Sequence, residues 1–89
     1  MVSKVVKIVN PTGLHLRPAG RLCNKAIEFK SVVTFKYGGK NIANAKSVLS
    51  ILGACVKSGD EIELICEGED EEKALNEIID LIETGLDQE

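Results

Sequence analysis

The sequence predicts an α+β chain: four strands in one antiparallel sheet, with helices packed on a single face, in the order βαββαβα. Three observations lead there. Four short segments alternate apolar and polar residues at the period of a half-buried strand. Three other segments repeat apolar residues at i, i+3, i+4 and i+7, the stripe of a helix with one buried face. Turn-forming residues, rather than long linkers or internal repeats, separate these segments, so residues 1–89 read as one domain.

The first strand spans Lys4 to Val9, with Val6 and Ile8 as core residues. Asn10-Pro11-Thr12-Gly13 is turn chemistry. The first helix begins at Leu16 or Arg17 and runs to about Phe29. Pro18 falls in its first turn, where proline is tolerated, and Ala19, Leu22, Cys23, Ala26 and Ile27 form its buried stripe. Val32 to Tyr37 is the second strand, with Val33, Phe35 and Tyr37 on one face. Gly38-Gly39 offers a two-residue hairpin turn into a short strand, Lys40 to Ala43. Ser47 is the N-cap of a short helix, Val48 to about Val56, with Val48, Ile51, Leu52 and Cys55 inward and Leu49 and Val56 off that stripe. Lys57 to Asp60 turns the chain into the strand Glu61 to Glu67, with Ile62, Leu64 and Cys66 inward. Gly68 breaks it. The last helix starts near Asp70, carries acids in its first turn as the dipole prefers, buries Leu75, Ile78, Ile79 and Ile82, and stops at Gly85.

Composition narrows the function classes. With 89 residues and few aromatics, the core is aliphatic. No segment has the length of a membrane span, and the N-terminus reads as a strand rather than a signal peptide. Cys23, Cys55 and Cys66 all fall at positions the local pattern buries. Three unpaired cysteines fit neither a disulfide framework nor a zinc site and point to a reducing cytoplasm. The net charge of −3 conceals a split. Residues 1–59 hold ten basic side chains against Glu28 alone, whereas residues 60–89 hold Lys73 against thirteen acids. The basic part favours phosphate and acidic protein surfaces.

The chemistry concentrates at His15, the only histidine. It stands at a helix start, where free N–H groups and the positive dipole end favour an anion. Arg17 adds a guanidinium suited to phosphate. Pro18 has no N–H, so Leu16 and Arg17 are the main-chain donors for a phosphate there. No second histidine, paired carboxylate or phosphate-binding loop accompanies them, so the chain can accept a group but lacks machinery to activate a substrate. Ser47 reads first as a cap; a phosphate there would also cap its helix and would weaken docking of an acidic partner. Leu16, Val48 and Leu49 are candidates for an apolar docking patch.

Gly13-Leu14-His15-Leu16-Arg17-Pro18-Ala19 resembles the active-site segment of the HPr family, the histidine-containing phosphocarriers of the bacterial sugar phosphotransferase system. Asn44-Ala45-Lys46-Ser47-Val48-Leu49 resembles the family's regulatory serine segment, and the spacing, length and element order agree over essentially the whole chain. The resemblance implies an open-faced β-sandwich. It implies that His15 takes a phosphoryl group on Nδ1 from phosphorylated Enzyme I and passes it to IIA domains of sugar permeases, with Arg17 holding the phosphate. It implies that Ser47 is the target of HPr kinase/phosphorylase, with binding to the regulator CcpA as the consequence. Docking falls to Leu16, Gly20, Arg21, Val48 and Leu49. Two positions depart from the family: residue 16, often alanine or threonine, is Leu16, and position 20, often alanine or threonine, is Gly20.

The expectation is therefore a cytoplasmic, monomeric phosphocarrier, not an enzyme, with no cofactor, no metal and no insertion into membranes. One rival is a catabolite regulator acting through phospho-Ser47, like Crh, the related protein that lacks the histidine. A second is a small nucleic-acid-binding domain. Against it, only Phe29, Phe35 and Tyr37 are aromatic, the last two read as core, and the acidic C-terminal part repels a phosphate backbone.

Overall fold

The structure is a computed structural model and describes residues 1–86. The chain order is β1 (Val2–Lys7), α1 (Leu16–Ala26), β2 (Val32–Tyr37), β3 (Asn41–Asn44), α2 (Val48–Gly53), β4 (Glu61–Glu67) and α3 (Glu71–Glu83). The four strands form one antiparallel sheet in the order β1-β4-β2-β3. The βαββαβα expectation holds.

Strand alternation gives the sheet one apolar face. Val6 pairs with Ile62, Val33 with Cys66, and Phe35 lies between Leu64 and Ala43. All of these side chains are buried. Helix α1 presents Ala19, Leu22, Cys23 and Ala26 to the core, and α3 presents Ala74, Ile78, Ile79 and Ile82. The sheet's other face leaves Val5, Val32 and Ile42 exposed, which makes the sandwich open-faced.

Several local expectations are corrected. Helix α1 ends at Ala26, so Ile27 leaves the stripe and is exposed. The hairpin loop has three residues, not two: Tyr37 pairs with Asn41, and Gly38 and Gly39 both take positive φ. Helix α2 ends at Gly53 instead of Val56. Cys55 then adopts φ +54° and reverses the chain, which ends the helical phase. As a result Cys55 is exposed, while Ala54 and Val56 take the buried places. Leu75 is only half-buried, and Ala74 fills the core position beside it.

The segment between β1 and α1 positions the site. It is fastened to the turn before β4 by backbone bonds: Ile8 N–H to the Asp60 carbonyl at 2.9 Å, Gly59 N–H to the Ile8 carbonyl at 2.8 Å, and Leu14 N–H to the Val56 carbonyl at 3.0 Å. Gly13 sits at φ +67°, where a Cβ would stand 2.7 Å from the Val56 carbonyl oxygen. Only glycine lets the two segments approach this closely.

Candidate functional site

His15 is the N-cap of α1, with φ −81° and ψ −171°. Its carbonyl accepts the Ala19 N–H at 2.8 Å, which starts the helix. Its imidazole makes no capping bond and is exposed. An N-cap residue usually uses its side chain to bind the first-turn amides; here the ring is left for other work. Leu16, Arg17 and Pro18 form the first turn. Helix geometry directs the Leu16 and Arg17 N–H groups out of the helix end, and Pro18 contributes none. The first turn of α1 carries no acid, so its dipole meets no negative side chain there.

Two open clefts meet at His15. One runs along the helix start and is lined by Pro11, Thr12, His15, Leu16, Arg17 and Pro18. The other lies between the loop and the end of α2, and adds Leu52, Cys55 and Lys57. The fold thus brings Lys57 into the lining of the same cleft as His15 from 42 positions away in the chain. The sequence reading missed both Lys57 and Thr12. Nothing local marks Lys57, because the turn before β4 reaches His15 only through the bonds that fasten the loop.

Ser47 is the N-cap of α2, as expected. Its hydroxyl oxygen accepts the Ser50 N–H at 3.2 Å, and the Ser50 hydroxyl oxygen in turn accepts the Asn44 N–H at 2.8 Å. Lys46, beside it, reaches back to the Phe29 carbonyl at 2.7 Å and so fastens the approach to α2 against the exit of α1. Among the expected docking residues, Leu16 and Leu49 are 71% and 82% exposed. Gly20 and Arg21 are half-buried; a Cβ at Gly20 would meet nothing within 4 Å. Val48 is half-buried and packs against the core, so it offers less surface than Leu49.

Among the described residues there is no group of three or more side chains able to hold a metal ion. No helix there is long and apolar enough to cross a membrane. An exposed imidazole at a helix start, with a guanidinium two residues on and a lysine across the cleft, suits a transferable anion.

Comparison with known proteins agrees with that chemistry. The family described as "PTS HPr component phosphorylation site" matches residues 2–84. The chain is 37% identical over 89 residues to phosphocarrier protein HPr of Lysinibacillus sphaericus, covering 99% of this chain and 100% of that one. It is 39% identical over 83 residues to the HPr-like protein Crh of Halalkalibacterium halodurans, covering 93% and 98%. A crystal structure of HPr-C-His from Thermoanaerobacter tengcongensis superposes with a TM-score of 0.94 at 36% identity, covering 100% of this chain and 99% of the other.

Proposed function

The chain belongs to the HPr family of the phosphotransferase system, and from that premise we propose that it carries a phosphoryl group on His15 between partner proteins. The observation that carries the proposal is the state of the α1 start: an exposed N-cap imidazole not used for capping, over a first turn that holds no acid. The lone pair of Nδ1 attacks phosphorus. The N–P bond forms as the bond from phosphorus to the donor breaks, and Nε2 keeps its proton. Transfer of this kind needs alignment and positive charge more than covalent machinery. The Leu16 and Arg17 amides and the Arg17 guanidinium supply that charge at the phosphoryl oxygens. The partners supply the rest, so the chain is a carrier and not a catalyst of its own reaction.

The donor in this reading is phosphorylated Enzyme I, and the acceptors are IIA domains of sugar permeases. Leu16 and Leu49 supply the exposed apolar area of the docking surface, with Gly20, Arg21 and Val48 beside them. Ser47 is the regulatory site for HPr kinase/phosphorylase, with CcpA as the reader of the modified form. Residues 1–89 act as one domain, as a monomer in the cytoplasm, without a cofactor and without nucleic acid.

Intact mass after incubation with phosphoenolpyruvate and a bacterial Enzyme I known to charge another HPr tests this. The expected result is a gain of one acid-labile phosphoryl group that His15→Ala abolishes. No gain in the wild type sinks the carrier reading. The identity to Crh favours a second reading, a regulator acting through phospho-Ser47. An uncharged His15 together with acid-stable phosphate on Ser47 would select it.

A further inference from the structure

The loop ahead of His15 contains a buried polar side chain that the proposed carrier function has not used. Asn10 is 2% exposed. Its Nδ2 donates to the Gly13 carbonyl at 2.7 Å and to the Thr12 hydroxyl oxygen at 3.2 Å. The Asn10 carbonyl accepts the Gly13 N–H at 3.2 Å. Among the described residues its Oδ1 accepts nothing. A buried acceptor left unpaired costs stability, and a smaller apolar side chain would avoid that cost. What Asn10 adds is a pair of bonds aimed at one target, the peptides leading into His15.

Each bond has a consequence at the histidine. The Gly13 carbonyl belongs to the Gly13–Leu14 peptide. Fixing that plane, with Leu14 N–H already on the Val56 carbonyl, sets the direction in which the chain enters His15. Thr12 lines both clefts that meet at His15. Its hydroxyl oxygen accepts from Asn10, so its own proton is not used in that bond and can be donated elsewhere. We infer that Asn10 is a positioning residue: through the Gly13 carbonyl it fixes the approach of the backbone to His15, and through Thr12 it orients a hydroxyl donor toward the phosphoryl group that His15 carries. This rests on the carrier reading above and extends its phosphate-binding groups beyond Leu16 and Arg17.

The test is steady-state phosphorylation by Enzyme I and phosphoenolpyruvate, with this chain as the varied substrate, at a temperature where circular dichroism shows each variant folded. Asn10→Ala removes both bonds. Asn10→Asp keeps the shape and removes the donor. Both are expected to lower kcat by about tenfold while KM stays unchanged, because the docking residues are untouched. Thr12→Val, at an exposed position, is expected to lower kcat in the same direction, and Thr12→Ser to restore it. A lowered melting temperature with unchanged kcat in the Asn10 variants would overturn the inference and leave the carrier reading standing. So would equal kcat in Thr12→Val and Thr12→Ser. A wild type that takes up no phosphoryl group would overturn both.

Discussion

Two helix starts in this chain are built from opposite materials. Helix α3 opens on Asp70-Glu71-Glu72, and Asp70 and Glu71 bind groups elsewhere in the chain. The Asp70 carboxylate accepts Lys30 N–H and Ser31 N–H, each at 2.9 Å, and the Ser31 hydroxyl as well. Glu71 accepts Gly68 N–H at 3.1 Å and pairs with the Met1 ammonium at 3.0 Å. Helix α1 opens on His15-Leu16-Arg17 with no acid, an exposed ring and an exposed leucine. Both helices carry the same partial positive charge at their N-termini. The first meets it with its own side chains and thereby joins α3 to the loop before β2. The first turn of the second carries no acid, and the proposed function gives that place to a phosphoryl group. On the proposed reading, the difference separates a structural joint from a functional site within one small fold.

The largest test is steric. Both joints press a glycine against backbone. A Cβ at Gly68 (φ +154°) would stand 2.6 Å from Ser31 Cα, and one at Gly13 2.7 Å from the Val56 carbonyl oxygen. Gly68→Ala and Gly13→Ala should each cost about 2–5 kcal/mol, read from urea unfolding. The comparison predicts a further split. Under conditions where both are folded, Gly13→Ala should slow charging of His15, and Gly68→Ala should leave it alone. Equal losses of charging would dissolve the distinction between the two joints.

Next in size is a pH effect confined to the α3 start. The hydrogen bond from the Ser31 side chain, then those from the Lys30 and Ser31 backbone, hold the Asp70 carboxyl down to about 2 from an ordinary 3.8. A group depressed in the folded state stabilises fully above its unfolded value and loses that contribution as pH falls through the folded value. The stabilisation should therefore be complete at pH 5 and fade from about pH 4 to about pH 2. Unfolding midpoints of wild type and Asp70→Asn should differ at pH 5 and converge towards pH 2. Parallel curves would mean that the carboxylate does not hold this corner.

How much of this was legible in the sequence differs between the two starts. The His15 site was readable because its parts are adjacent: the histidine, Arg17, Pro18 and the stripe behind them lie within one segment. Ser47 was readable as a cap for the same reason. Alternation gave β2 and β4 with their bounds, whereas β1 is Val2–Lys7 rather than Lys4 to Val9 and β3, expected from the glycine turn at Lys40 to Ala43, is Asn41–Asn44. The Asp70 joint was not readable beyond a helix start rich in acids, since its partners lie 39 and 40 residues away. Lys57 and Thr12 were missed because loop packing, not periodicity, brings them to His15. Asn10 read only as turn chemistry, and nothing in its neighbours shows that its side chain folds inward. Cys55 misled because helical phase was extended past a helix that stops at Gly53, where a residue with φ +54° turns the next side chains over. Short helices near chain reversals are where periodicity carries least information.

The smallest predicted effect on stability is also the sharpest test of the comparison. Leu16→Glu gives α1 what α3 already has, an acid in the first turn. Leu16 is largely exposed, so little packing is lost. The added carboxylate should stabilise the helix by about 0.5 kcal/mol at low ionic strength, declining with salt. In the proposed reading the same charge occupies the place of the phosphoryl oxygens, and it stands next in sequence to Arg17, two residues on from His15. Charging by Enzyme I should fall, and a neutral control, Leu16→Gln, should retain more of it. A rise in stability with a fall in charging would show that the empty helix start is kept at a cost to the fold. A Leu16→Glu variant that is more stable and charges as fast as wild type would mean that the missing acid at α1 has no bearing on phosphoryl transfer.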